Sequence, residues 1–359
     1  MPDFHIIHKD HNGVALGECT PNNLSFGMPL NDVGYIQYDL DDNHPLANYL
    51  YTRPYVTDWE LWVDDIPLMG GLHTSINRAS ADANAITVAG KDWLHYLEKR
   101  FYPFDPTNIE TYWYSVGTTD VYTILTHLLD TTLGRKNSLG LTYSFGSFGS
   151  TIDYAVTPGD MEDIASKLKS LSEGSPGFDF EITYDKQILL YSPHKVSVSN
   201  LYFIAGQNLL DVNWTDNGPT STYFLGIGTG PTTMVGQVGY GWHEGEYGGE
   251  DDPLSPVYRR LDSGKDFGTL PTDELDNPYL KRLTRGESIK AIVPKIELPL
   301  SVIPDINFWT YARPGVVVNV EIDDQYENIN SEYRIVGIEY TSDDEGLGTA
   351  AVTVDDTTI

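Results

Sequence analysis

Trp59, Leu61 and Val63 alternate with Glu60, Trp62 and Asp64, the period of two expected of a half-buried strand. Asp64 to Pro67 supply a turn, and strand texture resumes towards Ser75 to Ser80. Ala85 to Gly90 is a further strand, rich in β-branched residues. Past Gly90 the period changes. Trp93, Leu94 and Leu97 fall on one face of a short helix, with Lys99 and Arg100 in its last turn, where the helix dipole favours cations. Upstream, Phe4, Ile6 and Ile7 open a strand, Lys9 to Gly13 is a hairpin signal, Val14 to Leu16 continues, and Val33 to Leu40 alternates again. Asp39 to Pro45 reads as an acidic loop. The N-terminal part is therefore expected to be all-β, with roughly five to seven strands closing onto a helix.

The texture changes at Tyr102 to Pro106, a cluster of breakers. Val121, Ile124, Leu125, Leu128, Leu129 and Leu133 form a helical stripe that Thr118 or Thr119 can cap and Gly134 can end. A Gly/Ser/Phe-rich hairpin is expected at Tyr143 to Ser150. Met161, Ile164, Ala165, Leu168 and Leu171 predict a second helix, ended by Gly174. Phe178 to Thr183 and Gln187 to Tyr191 then predict a hairpin around Tyr184, Asp185 and Lys186. Strands resume at Leu201, with Asn208 to Thr215 and Thr222 to Gly228 expected to pair. Residues 229–287 are the least readable: Gly236 to Asp252 is an expected exposed loop, and Pro271 to Gly286 an expected short helix. Four strands close the chain, at Lys290 to Leu298, Val316 to Ile322, Tyr333 to Tyr340 and Thr349 to Val354.

Three phrases in this pattern carry a resemblance. The first is the meander with Arg78, Ala85, Ile86, Val88, Gly90, Asp92, Leu97 and Arg100. The second is Gly206, Asn208, Leu209 and Leu210 opening a strand, after a helix–turn–hairpin unit. The third is Pro314-Gly315 before a β-branched run, then Tyr333-Arg334-Ile335 before an acidic turn and a closing strand. Together they resemble the tail-tip (baseplate) hub proteins of long-tailed bacteriophages, over most of the chain apart from about 229–287. The resemblance implies a mainly β fold with a smaller α+β portion: a first tube-like β-barrel over 1–101, an inserted α+β domain over 102–199, and a second tube-like β-barrel over 200–359 that carries the loop-rich insertion. It implies a homotrimer whose barrels form a pseudo-six-fold ring, adapting a hexameric tail tube to a three-fold tip within the DNA ejection channel. A distal tail protein or tail tube protein would sit above the ring and tip or fibre proteins below it, with a tape measure protein in the lumen. The expected location is the virion tail tip, after synthesis in the host cytoplasm. Because the chain stops where the second barrel would close, a separate protein is expected to continue the tip, and no peptidoglycan-degrading activity is expected.

Composition changes this picture in few places. The formal charge is −30, from 52 acidic and 22 basic residues, which argues against a nucleic-acid binder while suiting a wall that DNA passes. One cysteine, Cys19, allows no internal disulfide framework. Met1 is followed by no apolar leader, and no stretch has the ~20 apolar residues of a membrane span. Metal, phosphate-loop and nucleophile-elbow motifs are absent. Gly226 to Gly230 is followed by Pro231 rather than a helix, so it is not a dinucleotide loop. His243 to Glu246 reads as a solvated acidic segment, and His5 and His8 should face opposite sides of a strand. No catalytic, cofactor-binding or metal residue is nominated, no cofactor is expected, and the chain is expected not to be an enzyme. The alternative is a carbohydrate-binding or carbohydrate-active β-protein that stacks sugars on Trp59, Trp62, Trp93, Trp113, Trp214, Trp242 or Trp309. A weaker one is a tail-fibre-like adhesin without the two-barrel plan.

Overall fold

The computed structural model describes residues 3–52, 56–78, 85–101, 114–135, 139–147, 151–156, 163–173, 177–191, 197–212, 215–217, 223–229, 234–239, 262–271, 295–302, 304–323, 328–342 and 348–356. The N-terminal part contains β1 (Phe4–Asp10), β2 (Ala15–Cys19), β3 (Asn22–Pro29), β4 (Tyr35–Asp41), α1 (Pro45–Thr52), β5 (Thr57–Val63), β6 (Ile66–Asn77) and β7 (Ala85–Asp92). Local chemistry sets its turns. The Asp10 carboxylate accepts from the amides of Asn12 and Val14, both at 2.9 Å, and Gly13 takes φ +81°, an Asx turn finished by the residue that tolerates a left-handed backbone. Asp64, at φ +49°, turns the chain between β5 and β6. The expected acidic loop at Asp39 to Pro45 is corrected: Asp39–Asp41 complete β4, and the chain turns into α1 with Pro45 as its first residue. Proline lacks only an N–H that a first turn leaves unbonded, and Leu46, Ala47 and Leu50 drive the helix into the core.

The middle part contains α2 (Leu94–Glu98), β8 (Tyr114–Asp120), α3 (Val121–Arg135), β9 (Thr142–Tyr143), β10 (Thr151–Val156), α4 (Ile164–Ser172), β11 (Asp179–Ile182) and β12 (Gln187–Tyr191). The predicted stripe of α3 is buried in full, and so are Ile164, Ala165, Leu168 and Leu171 of α4; Met161, Gly174 and the breaker cluster at Tyr102 to Pro106 lie outside the described residues. These faces share one core with Trp93, Leu94 and Leu97 of the α2 region and with Phe178, Phe180 and Ile188 of the hairpin. The start of α3 is served by Asp120, whose carboxylate accepts from the Tyr122 amide at 2.8 Å, rather than by the threonines before it. Asp163 caps α4 through the Ser166 amide. Of the hairpin expected at Tyr143 to Ser150, the described residues 143–147 form no strand pair with each other. β9 joins β12 in parallel while β10 pairs with β8 in another sheet, because Leu141 is drawn into the core under α3 and carries β9 alongside Ile188.

The C-terminal part contains β13 (Ser197–Ile204), β14 (Leu209–Val212), β15 (Thr215–Asn217), β16 (Tyr223–Thr229), β17 (Met234–Gly239), β18 (Asp262–Pro271), β19 (Lys295–Val302), α5 (Ile306–Tyr311), β20 (Val316–Asp323), β21 (Asn328–Ser342) and β22 (Gly348–Asp356). The pairing expected between Asn208 to Thr215 and Thr222 to Gly228 is also corrected. β14 and β15 both pair with β19, where Leu209 meets the core beside Leu300 and Val302, whereas β16 forms a three-stranded sheet with β17 and β18. Gly236 to Gly239 belong to β17; the rest of the expected glycine-rich loop, and the expected helix after Pro271, lie outside the described residues. The strand expected from Lys290 begins at Lys295 and runs on to Val302. α5 was not anticipated; Asp305 caps it through the Phe308 amide at 2.8 Å, and Phe308 and Trp309 fasten it to the core.

Most strands belong to one 14-stranded sheet, in which β14, β19, β22, β21, β3, β4, β7, β6, β5, β1 and β2 follow one another, β13 lies on β20 and β20 on β21. Antiparallel pairing of Ser25–Pro29 with Gly337–Thr341 joins the two ends of the chain. The sheet rolls: His8 on β1 lies 6.1 Å from Tyr38 on β4, with three strands between them. Phe4 meets Tyr340 at 4.8 Å, Trp309 at 5.5 Å and Phe26 at 5.9 Å, so aromatic contacts close the interior around one continuous core. Gly90 is needed where β7 passes Trp59: a Cβ there would lie 2.2 Å from the buried indole nitrogen. Gly90→Ala is expected to destabilise the protein by about 1–3 kcal/mol, seen as a lower urea midpoint at unchanged slope; an unchanged midpoint would mean that Trp59 can move aside.

Candidate functional site

β5 was expected to bury one face, yet every residue of it except Trp62 is buried. The reason is the α+β module, which covers its outer side. Two ion pairs hold the module in place. Lys186, at the turn of the β11–β12 hairpin, places its ammonium 2.7 Å from the carboxylate of Asp58, which is 2% exposed. The same ammonium sits 4.5 Å above the Trp93 ring, whose indole N–H donates to the Tyr184 carbonyl at 3.1 Å. The Tyr184 ring in turn packs edge-on against Trp62 at 5.5 Å. Burial pushes the Asp58 carboxyl up, and Lys186 opposes that shift, so the pair is coherent only when assembled.

The second pair lies at the root of the same hairpin. Asp179 is 1% exposed; it faces Arg334 of β21 at 3.0 Å and accepts from the Asn31 side-chain amide at 3.0 Å. The Asn31 carbonyl oxygen then accepts from the Phe180 backbone at 2.7 Å. All three parts of the chain meet at this carboxylate. Lys169 and Asp32 add a surface pair beside it, worth little by itself. Between the module and the sheet runs a small cleft lined by Met28, Leu68, Met69, Phe180, Ile182 and Pro314. At its margin Arg313 is half-buried and donates to the carbonyls of Trp309 and Ala312, both at 2.7 Å.

The residues that carried the sequence resemblance steer the chain from sheet to module. Ile86 and Val88 fill the core and Leu97 is buried in the module. Asp92 accepts from the Gly34 amide at 2.8 Å and the Leu94 amide at 3.0 Å, while burial pushes its carboxyl up to about 7. Arg100 donates to the Thr132 carbonyl at 2.6 Å and stacks over Tyr96. Arg78 pairs with Asp42 at the surface. Sequence reasoning missed Asp58, Lys186, Asp179, Arg334 and Asn31 as a set. The local signal was a lone charge flanked by apolar residues, as with Asp179 between Phe178 and Phe180 and Arg334 between Tyr333 and Ile335.

The candidate chemistry resolves similarly. Trp59, Trp93 and Trp309 are fully buried, and Trp62 is occupied by His5 and Tyr184; Trp113, Trp214 and Trp242 lie outside the described residues, as do His243 to Glu246. His5 and His8 do face opposite sides of β1, one stacked on Trp62 and the other buried in the core. Gly226 to Thr229 lie within strand β16. Burial pushes the Cys19 thiol up to about 12, which suppresses the nucleophilic thiolate. Among the described residues no group of His, Cys, Asp and Glu is placed to hold a metal, and no helix is long and apolar enough to cross a membrane.

The architecture is shared with phage tail proteins. A tail protein from Neisseria meningitidis MC58 superposes with TM-score 0.63 at 12% identity, covering 99% of this chain and 98% of its own. The 43 kDa tail protein of prophage MuSo2 from Shewanella oneidensis gives TM-score 0.65 at 12% identity, with 98% of each chain covered. The Escherichia coli c3393 protein gives 0.50 at 10% identity over 94% of this chain and 74% of its own; it is described as a type VI secretion component similar in structure to the T4 bacteriophage tail proteins gp27 and gp5. No protein-family model matches the sequence, and no curated protein matches it. The chain thus has the fold of phage tail proteins, mainly β with a smaller α+β portion.

The clamp yields a prediction. Arg334→Met leaves Asp179 buried without its cation and is expected to destabilise by about 3–5 kcal/mol, with a lower urea midpoint. The double variant Asp179→Asn/Arg334→Met should recover part of that loss. Equal losses in both would show that the ion pair is not what holds the hairpin root.

Proposed function

We propose that this chain is a non-enzymatic structural protein of a phage-type tail, placed at the tail tip as its hub. The observation that carries this reading is whole-chain agreement in fold with phage tail proteins at 12% identity, with nearly all of each chain covered. Agreement of that extent takes in the sheet and the module together. In this reading the N-terminal strands (1–101) and the C-terminal strands (200–359) are the two tube-like barrels, fused through β3 and β21, and the residues between them form the inserted module. Three chains would then present six barrel units to a hexameric tube and a three-fold face to the tip, a closed ring built on heterologous contacts. Tube or distal tail proteins would dock above and tip or fibre proteins below, with the tape measure protein and then DNA passing through the lumen. The large negative charge suits such a lumen, since it repels phosphate.

Burial of Trp59, Trp93 and Trp309 removes most of the described indoles from any sugar-stacking role, which favours the structural reading over the carbohydrate-binding one. Light scattering on the purified full chain across a concentration series tests the hub assignment. The expected mass is that of three copies of the 40.1 kDa chain, with ring-shaped particles in negative stain. A monomer at every concentration that binds polysaccharide would reverse the choice.

A further inference from the structure

Inside the rolled N-terminal sheet lies a polar cluster that the hub reading does not use. His8 on β1 and His73 on β6 are both fully buried, and their imidazoles stack face to face, with centroids 5.2 Å apart and planes inclined by 7°. His73 Nδ1 lies 3.1 Å from the Thr57 carbonyl, and its Nε2 lies 3.1 Å from the Tyr38 hydroxyl. Nδ1 also lies 2.8 Å from the Thr57 hydroxyl, so in either neutral tautomer both ring nitrogens have a partner and the ring is fully bonded as the neutral form. His8 Nε2 meets the Cys19 thiol at 3.2 Å, whereas its Nδ1 has no partner.

The surroundings offer a second proton nothing to balance it. Facing the pair are Cys19 from β2, Tyr38 from β4, Thr57 and Trp59 from β5, and His44 from the turn before α1. None of these is an anion. The nearest carboxylates in sequence, Asp58 and Glu60, point to the other side of β5, where Lys186 and Lys9 hold them. A charge on either imidazole would therefore be buried, unpaired and close to a second basic ring. Strand β1 lies next to β2, the last strand in the sheet order, so releasing that edge disturbs the fewest pairings.

We propose that the stacked His8–His73 pair is an acid-labile latch: its protonation frees the β1–β2 edge from the rolled core while the C-terminal strands stay paired. Burial holds His73 down to about 4 and His8 well below the ordinary imidazole range. The linkage sign follows: their contribution to stability is complete above about pH 6.5 and is lost as pH falls through that value towards 4. Asp92, with its raised carboxyl, acts in the opposite direction, so total stability against pH is the wrong readout and a local one is needed.

The test is histidine-labelled NMR on the full chain between pH 8 and 4.5, with hydrogen exchange corrected for intrinsic rates. Expected is that His8 and His73 stay neutral on acidification and charge only as amides of Ile6 to Cys19 lose at least tenfold in protection. Amides of β20 to β22 should keep theirs. His8→Phe, which keeps a stacking ring, should preserve protection of β1 at pH 5. The proposal is overturned if both histidines titrate normally with the edge still protected, if they stay neutral with no loss of protection, or if every strand loses protection together.

Discussion

The fold depends on strand β5 being buried on both faces. Its inner face, with Trp59, Leu61 and Val63, belongs to the rolled sheet; its outer face, with Asp58 and Glu60, lies under the α+β module. Burying two carboxylates is costly unless each has a cation and little room to leave it. Lys186 and Lys9 supply those cations, and one of them comes from the module itself. A strand that reads as amphipathic is thus completed by a segment more than a hundred residues later. Removing the module would leave more than an exposed surface, since it would strip Asp58 of its buried partner.

The second clamp shows the same logic from the other side. Asp179, Asn31 and Arg334 come from the module, the N-terminal strands and the C-terminal strands. Nonpolar contacts alone would let three such parts slide, because hydrophobic attraction has no direction. A carboxylate held by one guanidinium and one amide has a direction, and its geometry is lost with small displacements. Polar specificity and apolar mass are therefore divided. The aromatic group of Phe4, Phe26, Trp309 and Tyr340 sets how tightly the sheet rolls, and the buried ion pairs set where the module sits.

Legibility in the sequence followed the range of the interactions. α3 and α4 were readable because their stripes are local and long. The β11–β12 hairpin and β20 to β22 were readable from alternation and turn residues. α1 and α5 were not, since eight and six residues give too few repeats of a helical period, and their driving residues, Leu46, Leu50, Phe308 and Trp309, could equally belong to strands. Register between β3 and β21 was out of reach, for no residue in either strand encodes a partner more than three hundred positions away. The same holds for the clamps: Asp58 and Lys186 look like ordinary surface charges until the module is folded over β5. Of the residues that carried the resemblance, Gly90 makes a close approach to Trp59, Asp92 holds the turn into the module and Arg100 reaches the Thr132 carbonyl, all at the passage from sheet to module.

This division separates the parts of the sheet that are tied by ion pairs from the parts that are tied mainly without them. The module and the strands beneath it are pinned by directional charge pairs and share their polar atoms across all three parts of the chain. The β1–β2 edge is held by apolar packing, by two neutral imidazoles and by the single Lys9–Glu60 pair from β1, with no ion pair reaching β2 among the described residues. Stability in a folded chain is not uniform, and the parts with fewest directional ties open first. Buried polar groups in this sheet thus follow two patterns: Asp58, Glu60 and Asp179 each have a charged partner, whereas His8 and His73 are kept neutral by burial.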